Sequence, residues 1–219
     1  VFWPSPWGEG RPGWHIECSA MSRELLGETF DIHLGGEDLA FPHHEDEIAQ
    51  SEGATLCKEG GCKPIPFVRY WLHFSHLLVE GKKMSKSLGN FYTLRDLFAK
   101  GYTGREIRYL LLSAHYRESL NFTLEGLNGA RAALSRLDEC LSKLKELAGT
   151  AEPSGPQSAL VQNFDDALSD DFNLSAGWAA VFDWVRQTNK LLAEEKLSAS
   201  DAARLLADWA RVDAVLAVN

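Results

Sequence analysis

The hydrophobic period of the chain changes near residue 120, and this change limits the available folds more than any single motif does. Beyond it, Leu124, Leu127, Leu134, Leu137, Leu141, Leu144 and Leu147 recur at helical spacing. Phe172, Trp178, Val181, Phe182 and Val185 repeat the pattern, and so do Leu205, Leu206, Trp209, Val212 and Leu216. Pro153, Gly155 and Pro156 punctuate the segment that joins two of these stretches. Residues 121–219 are therefore expected to form an α-helical bundle.

Residues 1–120 read differently. Trp3, Trp7 and Trp14 interleave with Pro4, Pro6, Gly8, Gly10, Pro12 and Gly13, which marks an ordered aromatic loop, since flexible linkers avoid tryptophan. A helical pattern runs from His15 through Ile16, Ala20, Leu25 and Leu26 to a C-capping Gly27. Residues 29–34 alternate as a strand does and run into Gly35-Gly36, and Pro42 can open the next helix. Residues 67–79 are rich in aromatic and β-branched side chains, and Thr93 opens a short amphipathic segment that stops at Gly101. Strand, glycine turn, helix, strand, loop and helix in that order predict an α/β layer, in which ligands gather at the carboxyl ends of strands.

The 219 residues carry a net charge of −9, unevenly spread. Residues 82–145 hold 12 basic and 6 acidic side chains, a block of +6. It lies between a block of −8 (5 basic, 13 acidic) and one of −7 (5 basic, 12 acidic). A protein that coats nucleic acid without selection is excluded, whereas a polyanion held at one place would be met by the basic block. No apolar run approaches the roughly 20 residues of a membrane span, so no membrane role is expected. Cysteines at 18, 57, 62 and 140 make no convincing disulfide framework, and a reducing, cytoplasmic setting is expected. Cys57 and Cys62 are expected on a surface loop. The start at Val1, without an initiating methionine, is expected of a piece of a longer chain or a processed one.

Three groups of residues can carry chemistry. Gly81-Lys82-Lys83-Met84-Ser85-Lys86-Ser87-Leu88-Gly89-Asn90 joins a strand-like run to a helical one, and Lys83 and Lys86 there suit a loop that neutralises a departing pyrophosphate. The same lysines would also suit a solvated basic turn. His43 and Glu47 stand four residues apart on one helical face, and Cys18 on the preceding helix could add a thiolate; such an N, O and S donor set suits zinc. An acidic first helical turn with His43 as a bystander accounts for the same spacing. Gly35, Gly36 and Asp38, with His33 beside them, fit either a nucleotide site at a strand end or a plain turn. Trp14 reads as a pocket wall or as a core aromatic.

Taken together, Gly13-Trp14-His15-Ile16-Glu17-Cys18, Phe30-Asp31-Ile32-His33-Leu34-Gly35-Gly36-Glu37-Asp38, Phe41-Pro42-His43-His44-Glu45-Asp46-Glu47 and Lys83-Met84-Ser85-Lys86-Ser87 resemble the bacterial cysteinyl-tRNA synthetase family. Ile107-Arg108-Tyr109, His115-Tyr116-Arg117 and Asp170-Asp171-Phe172-Asn173 extend the resemblance in order along the chain. It implies the C-terminal half of a Rossmann-like class I synthetase catalytic domain over residues 1–120, followed by a tRNA-facing helical bundle over 121–219. It also implies zinc held by Cys18, His43 and Glu47 with a fourth ligand outside this sequence, and a cysteine pocket walled by Trp14 with His15 and His33 nearby. ATP with Mg2+ would lie on Gly35, Gly36, Asp38 and Lys86, and Lys83 and Lys86 would act in catalysis. The partners it implies are L-cysteine, ATP, tRNA(Cys) and the missing N-terminal portion of the same enzyme.

The sequence departs from the family in lacking a His-Ile-Gly-His motif and the first zinc cysteine. Two other readings remain open at this stage. One is the cysteine ligase of mycothiol synthesis, with an amino sugar as acceptor; the other is a non-catalytic zinc- or RNA-binding module.

Overall fold

Two parallel strands, β3 (Phe30–Gly36) and β4 (Val68–Phe74), form the frame of the first of two packing units, Val1–His76. The structure is a computed structural model describing residues 1–56 and 65–219, so the expectation for Cys57 and Cys62 falls outside the described residues. Register pairs Ile32 with Tyr70, Leu34 with Leu72 and His33 with Trp71. Side chains alternate across a strand. One face of the pair thus exposes Ile32, Leu34 and Tyr70, while the other brings His33, Trp71 and the ring of His73 to His44.

Helix α1 (Trp14–Leu26) packs beside α2 (Glu45–Leu56). As expected, α1 ends at Gly27, whose N–H donates to the Arg23 carbonyl. Its apolar residues Met21, Leu25 and Leu26 stay exposed, however, and the residue that α1 buries is Ser19, whose hydroxyl donates to Gln50. The N-terminal aromatic stretch is ordered as a hairpin of β1 (Trp3–Ser5) and β2 (Gly8–Gly10), closed by the Ser5 hydroxyl on the Gly8 carbonyl.

The second unit, Leu77–Asn219, starts inside the apolar run that the sequence presents as one strand. Residues 75–77 interrupt that run, and β5 (Leu78–Val79) then pairs antiparallel with β6 (Lys82–Lys83) and parallel with β7 (Asn121–Phe122). Packing thus divides the chain at 76/77. The division near 120 follows the change in sequence pattern and remains a proposal about function.

Short helices α3 (Leu94–Ala99) and α4 (Gly104–Leu111) each begin with a capping box, Thr93 with Asp96 and Thr103 with Glu106. They close a small core of Val79, Leu97, Ile107, Phe122 and Leu127. The larger core lies among α5 (Leu124–Ala148), α6 (Ala159–Ser169), α7 (Leu174–Ala193) and α8 (Ala199–Leu216), where Leu137, Leu141, Phe164, Val181 and Trp209 are buried together. Helix α4 also satisfies the end of α8. The Arg105 guanidinium donates to the Val218 carbonyl and grips Asp138, and Arg108 donates to the carbonyls of Leu216 and Val215. Carbonyls left over at a helix C-terminus thereby gain charged donors.

Leu137 is fully buried and Leu25 is 80% exposed. Leu137→Ala is expected to destabilise the helical unit by about 2–5 kcal/mol in urea unfolding. Leu25→Ala is expected to change stability by less than about 0.5 kcal/mol. The Glu106 carboxyl is held below its usual range chiefly by hydrogen bonds from Arg131, against an opposing effect of burial. A carboxyl lowered in the folded state stabilises above its unfolded value. The stability gap between the protein and Glu106→Gln is therefore expected to be full at neutral pH and to close as pH falls through the lowered folded value, as acid-range unfolding curves would show.

Candidate metal and nucleotide site

Four segments of the first unit deliver polar side chains to one buried point. The opening turns of α1 carry Trp14, His15 and Cys18, and β3 carries His33. A wide helical turn, Ala40–His44, carries His43 and His44 into α2, which bears Glu47 one turn further on. Within that turn Phe41 is extended, which reorients the chain just before the two histidines.

Glu47 is 0% exposed. One carboxylate oxygen lies 3.1 Å from His43 Nε2 and the other 3.2 Å from His33 Nε2. Neither oxygen has a partner in hydrogen-bonding geometry among the described residues. The ring nitrogens are close but not aimed as donors should be. A buried carboxylate left in this state is costly unless a cation or good donors compensate it. One ligand atom each of Cys18, His43 and Glu47 lie within 4.8 Å of one another, and the same holds for His33, His44 and Glu47.

The surroundings are those of a metal cradle. Burial and neighbouring imidazoles push the His44 ring down to about 4, and burial also lowers His33. Both are thus held neutral, the form in which imidazole coordinates. Burial raises the Cys18 thiol, and the Glu47 carboxylate adds to that. A cation would offset both, since metal binding deprotonates a coordinating thiol. The residues therefore fit a zinc ion held by Cys18, His43 and Glu47, with nitrogen, oxygen and sulfur as donors. Trp14 stacks on the His43 ring at 4.1 Å between centroids, and His15 meets His43 through their Nδ1 atoms.

His44 and His73, which the sequence reading did not single out, complete the imidazole cluster through an Nδ1 to Nε2 hydrogen bond of 2.8 Å. Gly35 is the backbone against which His44 packs: a Cβ there would stand 2.5 Å from His44 Cε1 and 2.8 Å from Nε2. This is a steric reason for glycine at that strand position. Gly36 ends β3, and Asp38 follows in a short turn with its carboxylate exposed, 3.8 Å from His76 Nε2. Gly35, Gly36 and Asp38 thus sit together at the carboxyl end of the strand, with the Asp38 carboxylate against Gly36 and the His44 ring against Gly35. Lys83 and Lys86 belong to the second unit, Lys83 exposed on β6 and Lys86 at the start of a short turn, Lys86–Leu88.

The profile of the tRNA synthetases class I (C) catalytic domain matches residues 1–132. The chain belongs to that family. A DALR domain profile matches residues 163–218, which cover most of α6 and all of α7 and α8. The cysteine–tRNA ligase of Chlamydia pneumoniae is 48% identical over the whole chain, which spans 45% of that relative. That of Protochlamydia amoebophila is 47% identical, again across the whole chain and 45% of the relative. The chain therefore spans about half the length of the curated relatives it matches. A crystal structure of a LeuRS–tRNA–LeuAMS ternary complex from Agrobacterium radiobacter K84 superposes with a TM-score of 0.73 over 99% of this chain and 32% of the other, at 18% identity. At that identity it supports the class I synthetase fold alone.

Added zinc is expected to raise the melting temperature of the chelator-treated chain, by an amount that grows with zinc concentration. Glu47→Gln should abolish that rise while leaving the metal-free chain equally or more stable, because it removes a buried charge with no donor. A substitution that destabilises the metal-free chain and leaves the zinc response intact would contradict the cradle.

Proposed function

We propose that the chain is the zinc-bearing and phosphate-handling part of a cysteine–tRNA ligase, which joins cysteine to ATP and passes the cysteinyl group to tRNA(Cys). The observation that carries this reading is the convergence of Cys18, His43 and Glu47 around an uncompensated buried carboxylate, in a chain whose full-length matches are named for that reaction. The names of these relatives favour a tRNA acceptor over an amino sugar.

The first chemical task is selection. Cys18, His43 and Glu47 would hold zinc, which would supply a Lewis acid able to bind a substrate thiol as thiolate, a bond that a serine hydroxyl cannot imitate. Around it the chain's own groups shape the pocket: the Trp14 ring, stacked on His43, forms a wall beside Cys18, and the neutral imidazole of His33 offers a polar contact without a charge. The second task is activation. Gly35 and Gly36 end the strand where a nucleotide is expected to lie, and the exposed Asp38 carboxylate beside Gly36 can accept a ribose hydroxyl. The substrate carboxylate attacks the α-phosphorus of ATP, with Mg2+ on the phosphates, and pyrophosphate leaves. Lys83 and Lys86 neutralise the charge that develops on the leaving group. A hydroxyl of the terminal ribose of the tRNA then attacks the carbonyl carbon of the cysteinyl adenylate, forming the ester as the acyl–phosphate bond breaks and AMP leaves.

The experiment is cysteine-dependent ATP–pyrophosphate exchange, followed by charging of tRNA or of an amino sugar. An enzyme of the relatives' full length that carries these residues is expected to exchange and to charge tRNA. The 219-residue chain by itself, which spans about half the length of those relatives, is expected to exchange at least about a hundredfold more slowly. Ordinary exchange by the isolated chain, or transfer to the amino sugar only, would contradict the proposal.

A further inference from the structure

The loop at residues 83–87 is fastened by a single side chain that lies outside it. The Asn90 carboxamide oxygen accepts the Ser85 N–H at 2.9 Å. The same carboxamide donates through Nδ2 to the Val79 carbonyl at 3.1 Å and to the Lys83 carbonyl at 3.2 Å. The amide orientation follows from its partners, because two carbonyls need a donor and one N–H needs an acceptor. Three backbone groups from the strand stem and the loop thus converge on one half-buried asparagine.

The surrounding structure is built to hold that asparagine in place. Gly89 adopts φ 69°, a left-handed conformation that glycine takes without the Cβ penalty, and this turn leads the chain into Asn90. Met84, between the two lysines, lines an apolar pocket of about 140 Å3 with Val79, Tyr92, Leu97, Ile107 and Phe122. Within the loop the Ser85 and Ser87 hydroxyls are 2.8 Å apart. At the far end of the strand stem, Asn121 accepts the Gly81 N–H at 2.7 Å and fixes the hairpin turn. One asparagine therefore holds the turn and another holds the loop.

We propose that Asn90 is the positioning residue of the 83–87 loop: its three hydrogen bonds bind the loop to the β5–β6 stem, so that the Lys83 and Lys86 backbone moves as one body when phosphate is engaged. Aspartate at this position would keep the acceptor for Ser85 but set an anion against two carbonyl oxygens. Alanine would leave all three groups to water. In either case the loop remains, but the lysines lose their common frame, and the loss falls on the nucleotide step. Cysteine binding, which depends on the first unit, is untouched. This inference rests on reading the loop as phosphate-handling.

The test has two parts. In the 219-residue chain, hydrogen exchange of the amides at residues 83–88 is expected to quicken at least about tenfold in Asn90→Ala and Asn90→Asp, with α3 and α4 unchanged. In an enzyme of the relatives' full length, both variants are expected to lose on the order of tenfold to a hundredfold in kcat/KM for ATP in pyrophosphate exchange. The KM for cysteine should stay within about twofold. Lys86→Ala, run in parallel, separates the two claims. Loss with Lys86→Ala but normal kinetics with Asn90→Ala overturns the positioning role alone, whereas normal kinetics with both overturns the phosphate-handling reading and the positioning role with it. Normal values for Asn90→Asp beside a defective Asn90→Ala would mean that the two bonds donated by Nδ2 are dispensable, and would overturn the three-bond positioning role.

Discussion

A carboxylate with no exposed surface and no partner in hydrogen-bonding geometry among the described residues, set between two imidazoles, is the constraint on which the first unit depends. A carboxylate buried in this way is costly without a positive partner. The elements around it supply coordinating atoms rather than donors: a thiol from α1 and imidazole nitrogens from β3 and the turn before α2. Even the backbone complies, since Gly35 leaves the space that the His44 ring occupies. Such a core is weak as a source of hydrophobic stabilisation and strong as a source of ligand selectivity. The fully buried Phe67 and its neighbour Val68 are the main apolar residues that this unit buries.

The second unit is stabilised by different means. Its helices bury leucine, tryptophan and phenylalanine in a conventional apolar core, and several of its charged residues finish helix ends. Arg108 takes the last carbonyls of α8, Arg105 takes that of Val218 just beyond it, and Asp96, Glu106 and Asp201 complete capping boxes. The basic block between residues 82 and 145 is thus partly structural: several of its arginines are spent on Asp138, Glu106 and main-chain oxygens. Lys82 and Lys83 are exposed on a strand stem that two asparagines hold. A rigid scaffold that positions residues on a loop is a common arrangement at functional sites.

Where local rules decide the outcome, the sequence was legible. Gly27 ends α1, Thr93 opens α3, the leucine stripe from 124 lies in one long helix, and the i, i+4 spacing of His43 and Glu47 brings both to Cys18. Long-range register was not legible. His73 joins the imidazole cluster because parallel pairing sets it opposite Gly35, and nothing within β4 announces that partner. The run from 67 to 79 reads as one strand because hydrophobic pattern ignores the break at residues 75–77, across which the chain passes from one packing unit to the other. Ile16, Leu25 and Leu26 carry the helical pattern of α1, yet they are exposed in this chain. Asn90 looked like the end of a motif; its role is visible only once its three backbone partners are placed.

The account's central claim, that Glu47 is buried to hold a metal ion together with Cys18 and His43, is tested most directly by X-ray absorption at the zinc edge of the zinc-loaded chain. It predicts one sulfur neighbour at about 2.3 Å and nitrogen or oxygen neighbours at about 2.0–2.2 Å, with the sulfur shell lost in Cys18→Ser. A shell of light atoms alone in the unsubstituted chain, or a sulfur shell that survives Cys18→Ser, would contradict it.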